Sequence, residues 1–206
     1  MKIDRLERSR HVKDRILLFL EDGSVLKLTE QEALDFRLRA GDLLDEETLE
    51  RLRAAAGVSN TKAAAAGLIG KRAMSRRDLE KKLVEKGASQ AEARYAAEWL
   101  EAIGALNDSD YAAMLARHCA DLGYGPAHIR QKLWEKGVPR DLWDEAMEGL
   151  PDEADRIDAF LAGKLRGRAP DEAEKRRLTA ALQRRGFAWA DIREAWGRIG
   201  SGIPED

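Results

Sequence analysis

Apolar residues recur along this chain at helical spacing, and one arrangement occurs three times. Leu79-x3-Leu83-x3-Gly87, Ile129-x3-Leu133-x3-Gly137 and Leu178-x3-Leu182-x3-Gly186 share the same internal spacing, with glycines 50 and 49 residues apart. Counting on from each glycine, the sixth, ninth, tenth and thirteenth positions are apolar again. They read Ala93, Ala96, Ala97, Leu100; then Trp143, Ala146, Met147, Leu150; then Ile192, Ala195, Trp196, Ile199. Spacing of i, i+3, i+4, i+7 is one face of an α-helix, so each unit closes on a helix that must bury that face. A repeat of this length predicts a modular helical array with an extended surface, suited to a long partner rather than an enclosed small molecule.

Residues 12–28 follow a different pattern. Val12 to Leu20 favours β structure, Asp22-Gly23 supplies a tight turn, and Val25, Leu26 and Leu28 continue beyond it, which predicts a β-hairpin. A lone hairpin is marginal in water, so its neighbours must cover it. Thr29 with Glu32 reads as a capping box for a helix to about Arg39; Gly41 interrupts, and Asp45-Glu46-Glu47 starts a short helix ending near Gly57. The first repeated unit begins near Ser59 and places a helix over Ala63 to Ile69, a second capped by Ser75, and a third capped by Ser89 with Glu92 reaching back. In the second unit Tyr111, Leu115 and Cys119 mark a first stripe after Asn107-Asp108, Gly123 and Gly125-Pro126 end it, and Pro139 opens the last helix. The third starts at Pro151-Asp152 and has a looser connector at 163–170. The expected fold is mainly α: three three-helix modules (58–104, 105–150, 151–200) in tandem, preceded by a β-hairpin and helical appendage (1–57) and followed by a flexible tail (201–206).

Composition narrows the possible chemistry. Hydrophobic residues make up 44% and charged residues 36%, which suits a folded, well-solvated helical protein. Cys119 is the sole cysteine, so no internal disulfide forms, and the lack of a cysteine framework favours a reducing compartment. No 18-residue apolar run predicts a membrane span, and the charged N-terminus has no apolar segment of a signal peptide. His11, His118 and His128 are scattered, and His118 and Cys119 point about 100° apart on a helix, so neither a nucleophile pair nor a metal set is indicated. There is no phosphate-binding glycine loop, HExxH helix or paired-cysteine motif. Neither a catalytic site, a cofactor nor a metal is expected.

Charge distribution says more than its sum. The chain carries a formal -2, yet residues 58–104 hold nine Lys/Arg against six Asp/Glu, and residues 105–150 hold five against eight. Two basic clusters stand out: Lys71, Arg72, Arg76, Arg77, Lys81, Lys82 and Lys86; and Arg166, Arg168, Lys175, Arg176, Arg177, Arg184 and Arg185. Either could meet a DNA backbone or an acidic protein surface, with arginine the more directional donor. Lys86, Lys136 and Arg185 each precede a repeated glycine, a position that favours the helix dipole or lines one face of the array. Asp108, Asp110, Asp121, Asp141, Asp144, Glu145 and Glu148 argue against one continuous DNA groove and for a protein or protein–DNA assembly. Direct DNA binding by tandem helical modules is the alternative. Trp143 and Trp196 are expected in the core, whereas Trp134 and Trp189 are open to an interface.

The segments SRRDLEKKLVEKG at 75–87, GALNDSDYA at 104–112, GPAHIRQKLWEKGV at 125–138 and LTAALQRRGF at 178–187 resemble, in order and spacing, the RecX regulatory protein family. The resemblance covers roughly residues 59–199 and is weaker over 1–57. It implies a cytoplasmic bacterial modulator of RecA recombinase, without a catalytic site. Such a protein contacts the RecA filament and the single-stranded DNA within it, and restrains ATP hydrolysis, strand exchange and coprotease activity. A monomer is expected. On this resemblance Lys86, Lys136 and Arg185 and the charged middle helices, including Arg130 and Lys132 of the second unit, become candidate filament or DNA contacts.

Overall fold

A computed structural model describes residues 1–10 and 12–200; His11 and the expected tail at 201–206 lie outside the described residues. The chain divides into two compact units, Met1–Leu106 and Asn107–Asp206. Helices dominate both, as the apolar spacing requires.

The first unit opens with a three-stranded antiparallel sheet: β1 (Ile3–Arg8), β2 (Arg15–Leu20) and β3 (Val25–Thr29), in that order. The expected hairpin is β2–β3, closed by Asp22-Gly23 with Gly23 at φ 83 and the Ser24 amide donating to the Asp22 carboxylate. β1 is an additional strand. Its sequence hides it, because among six residues only Ile3 is buried while Asp4, Arg5, Glu7 and Arg8 remain exposed or salt-bridged. The capping box at Thr29 and Glu32 forms, but α1 (Glu30–Asp35) is shorter than expected, since Arg37 turns left-handed at φ 52.

A larger departure follows. Residues 46–69 form one 24-residue helix, α2 (Glu46–Ile69), where two helices with a break near Gly57 were expected. At 1.5 Å per residue it is about 36 Å long. A helical glycine costs about 1 kcal/mol relative to alanine, and tertiary packing outweighs that here. Leu49, Leu52 and Ala56 bury against Ile3, Leu18, Leu20 and Leu28 of the sheet, whereas Ala65 enters the core of the first module. Glu92 also approaches Gly57 where a side chain would stand. Arg15 donates to the Ser59 hydroxyl and carbonyl, and Asn60 to the Lys27 carbonyl, so the appendage and first module are built on a shared rod.

Helices α3 (Arg76–Glu85) and α4 (Gln90–Ala102) complete module 1. In the second unit, module 2 comprises α5 (Asp108–Asp121), α6 (Pro126–Glu135), a 3₁₀ turn (Arg140–Leu142) and α7 (Trp143–Glu148). Module 3 comprises α8 (Glu153–Leu165), α9 (Glu172–Arg184) and α10 (Trp189–Gly200). Each module has its own apolar core.

The repeated motif has a mechanical explanation. Gly87, Gly137 and Gly186 adopt φ of 98, 72 and 90, in the left-handed region that glycine enters cheaply. One residue further on, the Ala88, Val138 and Phe187 amides donate back to the carbonyls of Leu83, Leu133 and Leu182 at 3.1, 3.0 and 3.2 Å. This is the Schellman closure of a helix, repeated three times, and Val138 and Phe187 bury as its apolar plug. Trp143 and Trp196 take their expected core places, with indole N–H groups donating to the Val138 carbonyl and the Thr179 hydroxyl.

Candidate partner-binding surface

The basic candidates divide by what their charge already meets. Arg76 lies among three carboxylates of its own module: Glu80 at 2.8 Å, Glu98 at 3.3 Å and Glu101 at 2.7 Å. The last two are on α4, so Arg76 ties α3 to α4. Arg168 grips Glu174 with two bonds of 2.6 Å, and Arg177 joins the same carboxylate at 3.2 Å. This depresses the Glu174 carboxyl below its ordinary range, chiefly through the Arg168 bond. Lys132 pairs with Glu135 at 2.7 Å. Looser pairs join Arg72 and Lys82 to Asp78 at 3.7 and 3.5 Å, and Lys81 to Glu85 at 3.9 Å.

Lys71, Arg77, Lys86, Arg130, Arg166, Arg176 and Arg184 are exposed and make no ion pair among the described residues. Lys136 is exposed at the α6 C-cap. Trp134 and Trp189 are also exposed, at 55% and 57%, in contrast to the two core tryptophans. Arg130 and Trp134 stand four residues apart on α6 and so share its outer face.

Module 1 gathers several of these groups around a concavity of about 530 Å³ between the C-terminal ends of α2 and α3. Leu68 and Met74 form its floor, and Lys71, Arg72, Lys82 and Lys86 surround it. Glu85 is the single carboxylate of the lining. Spacing identified the cations but not the floor, because Leu68 and Met74 lie on opposite sides of the turn between the helices.

Arg185 belongs elsewhere. Its guanidinium donates to the Leu122 and Gly123 carbonyls at 2.9 and 3.0 Å, closing the end of α5, and lies over the Phe160 ring at 5.1 Å. The backbone nearby makes a joint between modules 2 and 3. The Gly125 amide donates to the Arg185 carbonyl at 2.7 Å, and the Ala127 amide to the Gly186 carbonyl at 3.2 Å. Gly125 is the N-cap of α6 and offers no side-chain cap, unlike Ser75 on α3. Module 3 carbonyls therefore satisfy amide donors that a helix start leaves open. Arg156 adds a bond to the Tyr124 carbonyl at 2.8 Å, and the Tyr124 and His128 rings stack at 3.9 Å. Neither the joint nor Arg156 was legible from spacing; glycine at an N-cap where serine would serve was the available signal.

The remaining polar candidates have structural settings. Cys119 is buried, and burial pushes its thiol up, while His118 beside it is exposed. Among the described residues no group of three His, Cys, Asp or Glu side chains could hold a metal ion. No described helix is long and apolar enough to cross a membrane.

These features define a class: a protein of tandem three-helix modules whose distinctive chemistry is distributed surface charge. Two family models match it, the RecX second three-helix domain over residues 107–147 and the RecX third three-helix domain over 152–196. Regulatory protein RecX of Stenotrophomonas maltophilia is 32% identical over 133 residues, covering 64% of this chain and 82% of that protein. Its counterpart in Pseudomonas entomophila is 31% identical over 137 residues, covering 66% and 86%. A crystal structure of regulatory protein RecX matches in fold with a TM-score of 0.71 at 22% identity, over 95% of this chain and 98% of the other. The RecX crystal structure from Lactobacillus salivarius gives 0.63 at 20% identity, over 70% and 97%. The chain belongs to the RecX family of regulatory proteins.

Proposed function

We propose that this chain is a negative modulator of RecA recombinase, binding the RecA–single-stranded DNA filament and restraining ATP hydrolysis, strand exchange and coprotease activity. Membership of the RecX family carries this reading. Support from the surface comes from Lys71, Arg77 and Lys86 in module 1 and Arg130, Arg166, Arg176 and Arg184 in modules 2 and 3, cations with no ion pair among the described residues. Charges of this kind steer association, and several separated weak contacts add through effective concentration. The protein acts in the cytoplasm as a monomer, supplying no catalytic group and biasing the movements of RecA subunits instead.

The test is RecA ATPase on single-stranded DNA while the purified protein is titrated. Turnover is expected to fall as the protein occupies filaments. Unchanged turnover together with no binding to filaments rejects the proposal. Tight binding to free DNA without RecA, falling steeply with salt, would instead support the direct DNA-binding alternative.

A further inference from the structure

We propose that the module 1 concavity is a docking site for an acidic protein segment carrying an apolar side chain, and, on the RecA reading above, that this segment belongs to a RecA protomer. Its volume of about 530 Å³ falls within the range of ligand pockets, and the concavity is open to solvent, so that a segment of chain can enter it. Four cations surround it against the single Glu85. Lys71 and Lys86 have no ion pair among the described residues, and Arg72 and Lys82 share one carboxylate, Asp78, at 3.7 and 3.5 Å. Those separations are long for charge-assisted hydrogen bonds, so both can turn toward an incoming carboxylate at little cost.

The floor discriminates between kinds of anion. Leu68 and Met74 reward an apolar group, which a phosphodiester backbone lacks. No aromatic ring lines the concavity, so a single strand would find no platform for its bases. Its position matters too. Two helix C-termini present the negative ends of their dipoles here, which Lys82 and Lys86 at the end of α3 offset. A peptide brings isolated carboxylates, separated by neutral residues, to the four cations.

The experiment uses the full chain with Glu85→Cys carrying a maleimide-linked benzophenone. Cys119 stays unlabelled because it is buried and its thiol is pushed up by burial. After photolysis on RecA–single-stranded DNA filaments, mass spectrometry is expected to locate the cross-link on one acidic RecA segment. Lys71→Glu with Lys86→Glu is expected to weaken filament binding at least tenfold with helical content unchanged. Cross-links to DNA or to a second copy of this chain overturn the proposal. So does a silent label on bound filaments, or undiminished affinity in the folded double variant. Failure of the unmodified protein to bind filaments rejects the RecA reading itself, and with it the identity of the partner.

Discussion

Gly125→Ala probes the joint between modules 2 and 3 with one methyl group. A Cβ at this position would stand 2.5 Å from the Gly186 carbonyl carbon and 2.6 Å from both the Gly186 oxygen and the Phe187 nitrogen. All three are backbone atoms with no rotamer to change, so the modules must part by about 1 Å to restore ordinary contact. Parting them stretches the 2.7 Å Gly125–Arg185 and 3.2 Å Ala127–Gly186 bonds, and loosens the Arg185 and Arg156 bonds to α5 and its end. Two neutral bonds at about 1 kcal/mol and one or two charged ones at about 1.5 kcal/mol give the gross loss. Alanine in place of glycine returns roughly 0.4–1 kcal/mol through the unfolded chain, since φ of -81 suits it. The net is about 2.5–4.5 kcal/mol, equivalent to a roughly 70- to 2,000-fold change in the opening equilibrium. Amide hydrogen exchange at Ala127 reads it locally, because that N–H is held by module 3. Gly163→Ala in α8 is the control: no atom lies within 4 Å of its Cβ, and it should stabilise by about 0.4–1 kcal/mol. Wild-type protection at Ala127 in folded Gly125→Ala protein would refute the joint as drawn.

Adjacent arginines give separable predictions. Arg76→Ala should lower the urea midpoint of the first unit by the equivalent of about 1 kcal/mol, after allowing for partial solvent screening of its carboxylate contacts. Arg77→Glu should leave that midpoint unchanged and reduce filament binding; the reverse pattern would reassign the two residues. Arg185→Lys should destabilise the second unit, because a lysine cannot reproduce the planar fork at Leu122 and Gly123, whereas Arg184→Glu should weaken filament binding and the effect on RecA ATPase while costing only about 0.3–1 kcal/mol at the α9 C-terminus. Asp45 provides the pH test. Its carboxylate accepts the Thr48 amide at 2.7 Å, and this bond, followed by the Thr48 hydroxyl, holds its pKa below the ordinary 3.8. A depressed folded value means its contribution is complete above 3.8 and disappears as pH falls through the folded value. Asp45→Asn should therefore flatten acid-induced loss of helicity as pH falls below 3.8; an unaltered acid limb would show that this cap is uncoupled from folding.

Local rules made the modules legible. Leu79, Ile129 and Leu178 sit at equal distances from glycines that each close a helix, so spacing alone fixed the middle helices and their buried faces. Asp22-Gly23 located the β2–β3 hairpin for the same reason. Long-range contacts were harder. Gly57 reads as a stop on propensity, but α2 continues because its two halves serve two cores. The charged surface behaved similarly: Arg76 and Arg77 form one cluster in sequence, yet neighbouring helix positions diverge by about 100°. Only Arg76 reaches Glu98 and Glu101, 22 and 25 residues away. Arg185 finds its carbonyl acceptors 63 and 62 residues away, a separation no local pattern reports.

The cation before each repeated glycine shows what a repeat does and does not specify. Backbone geometry demands the glycine, because the left-handed turn needs it, and the buried core demands the leucine four residues before it. It places no such demand on the C-cap side chain, which leaves the helix end in whatever direction its surroundings reward. Lys86 consequently edges an apolar concavity, while Arg185 closes a neighbouring helix within the joint between modules 2 and 3. Lys136 stands exposed at the corresponding place in module 2. Equivalent positions therefore cannot be assumed to form one binding stripe. Partner contacts are better sought where the repeat leaves residue choice open and the cations make no ion pair among the described residues: Lys71 and Lys86 at the concavity of module 1, Arg130 on the Arg130–Trp134 face of α6, and Arg184 beside the committed Arg185.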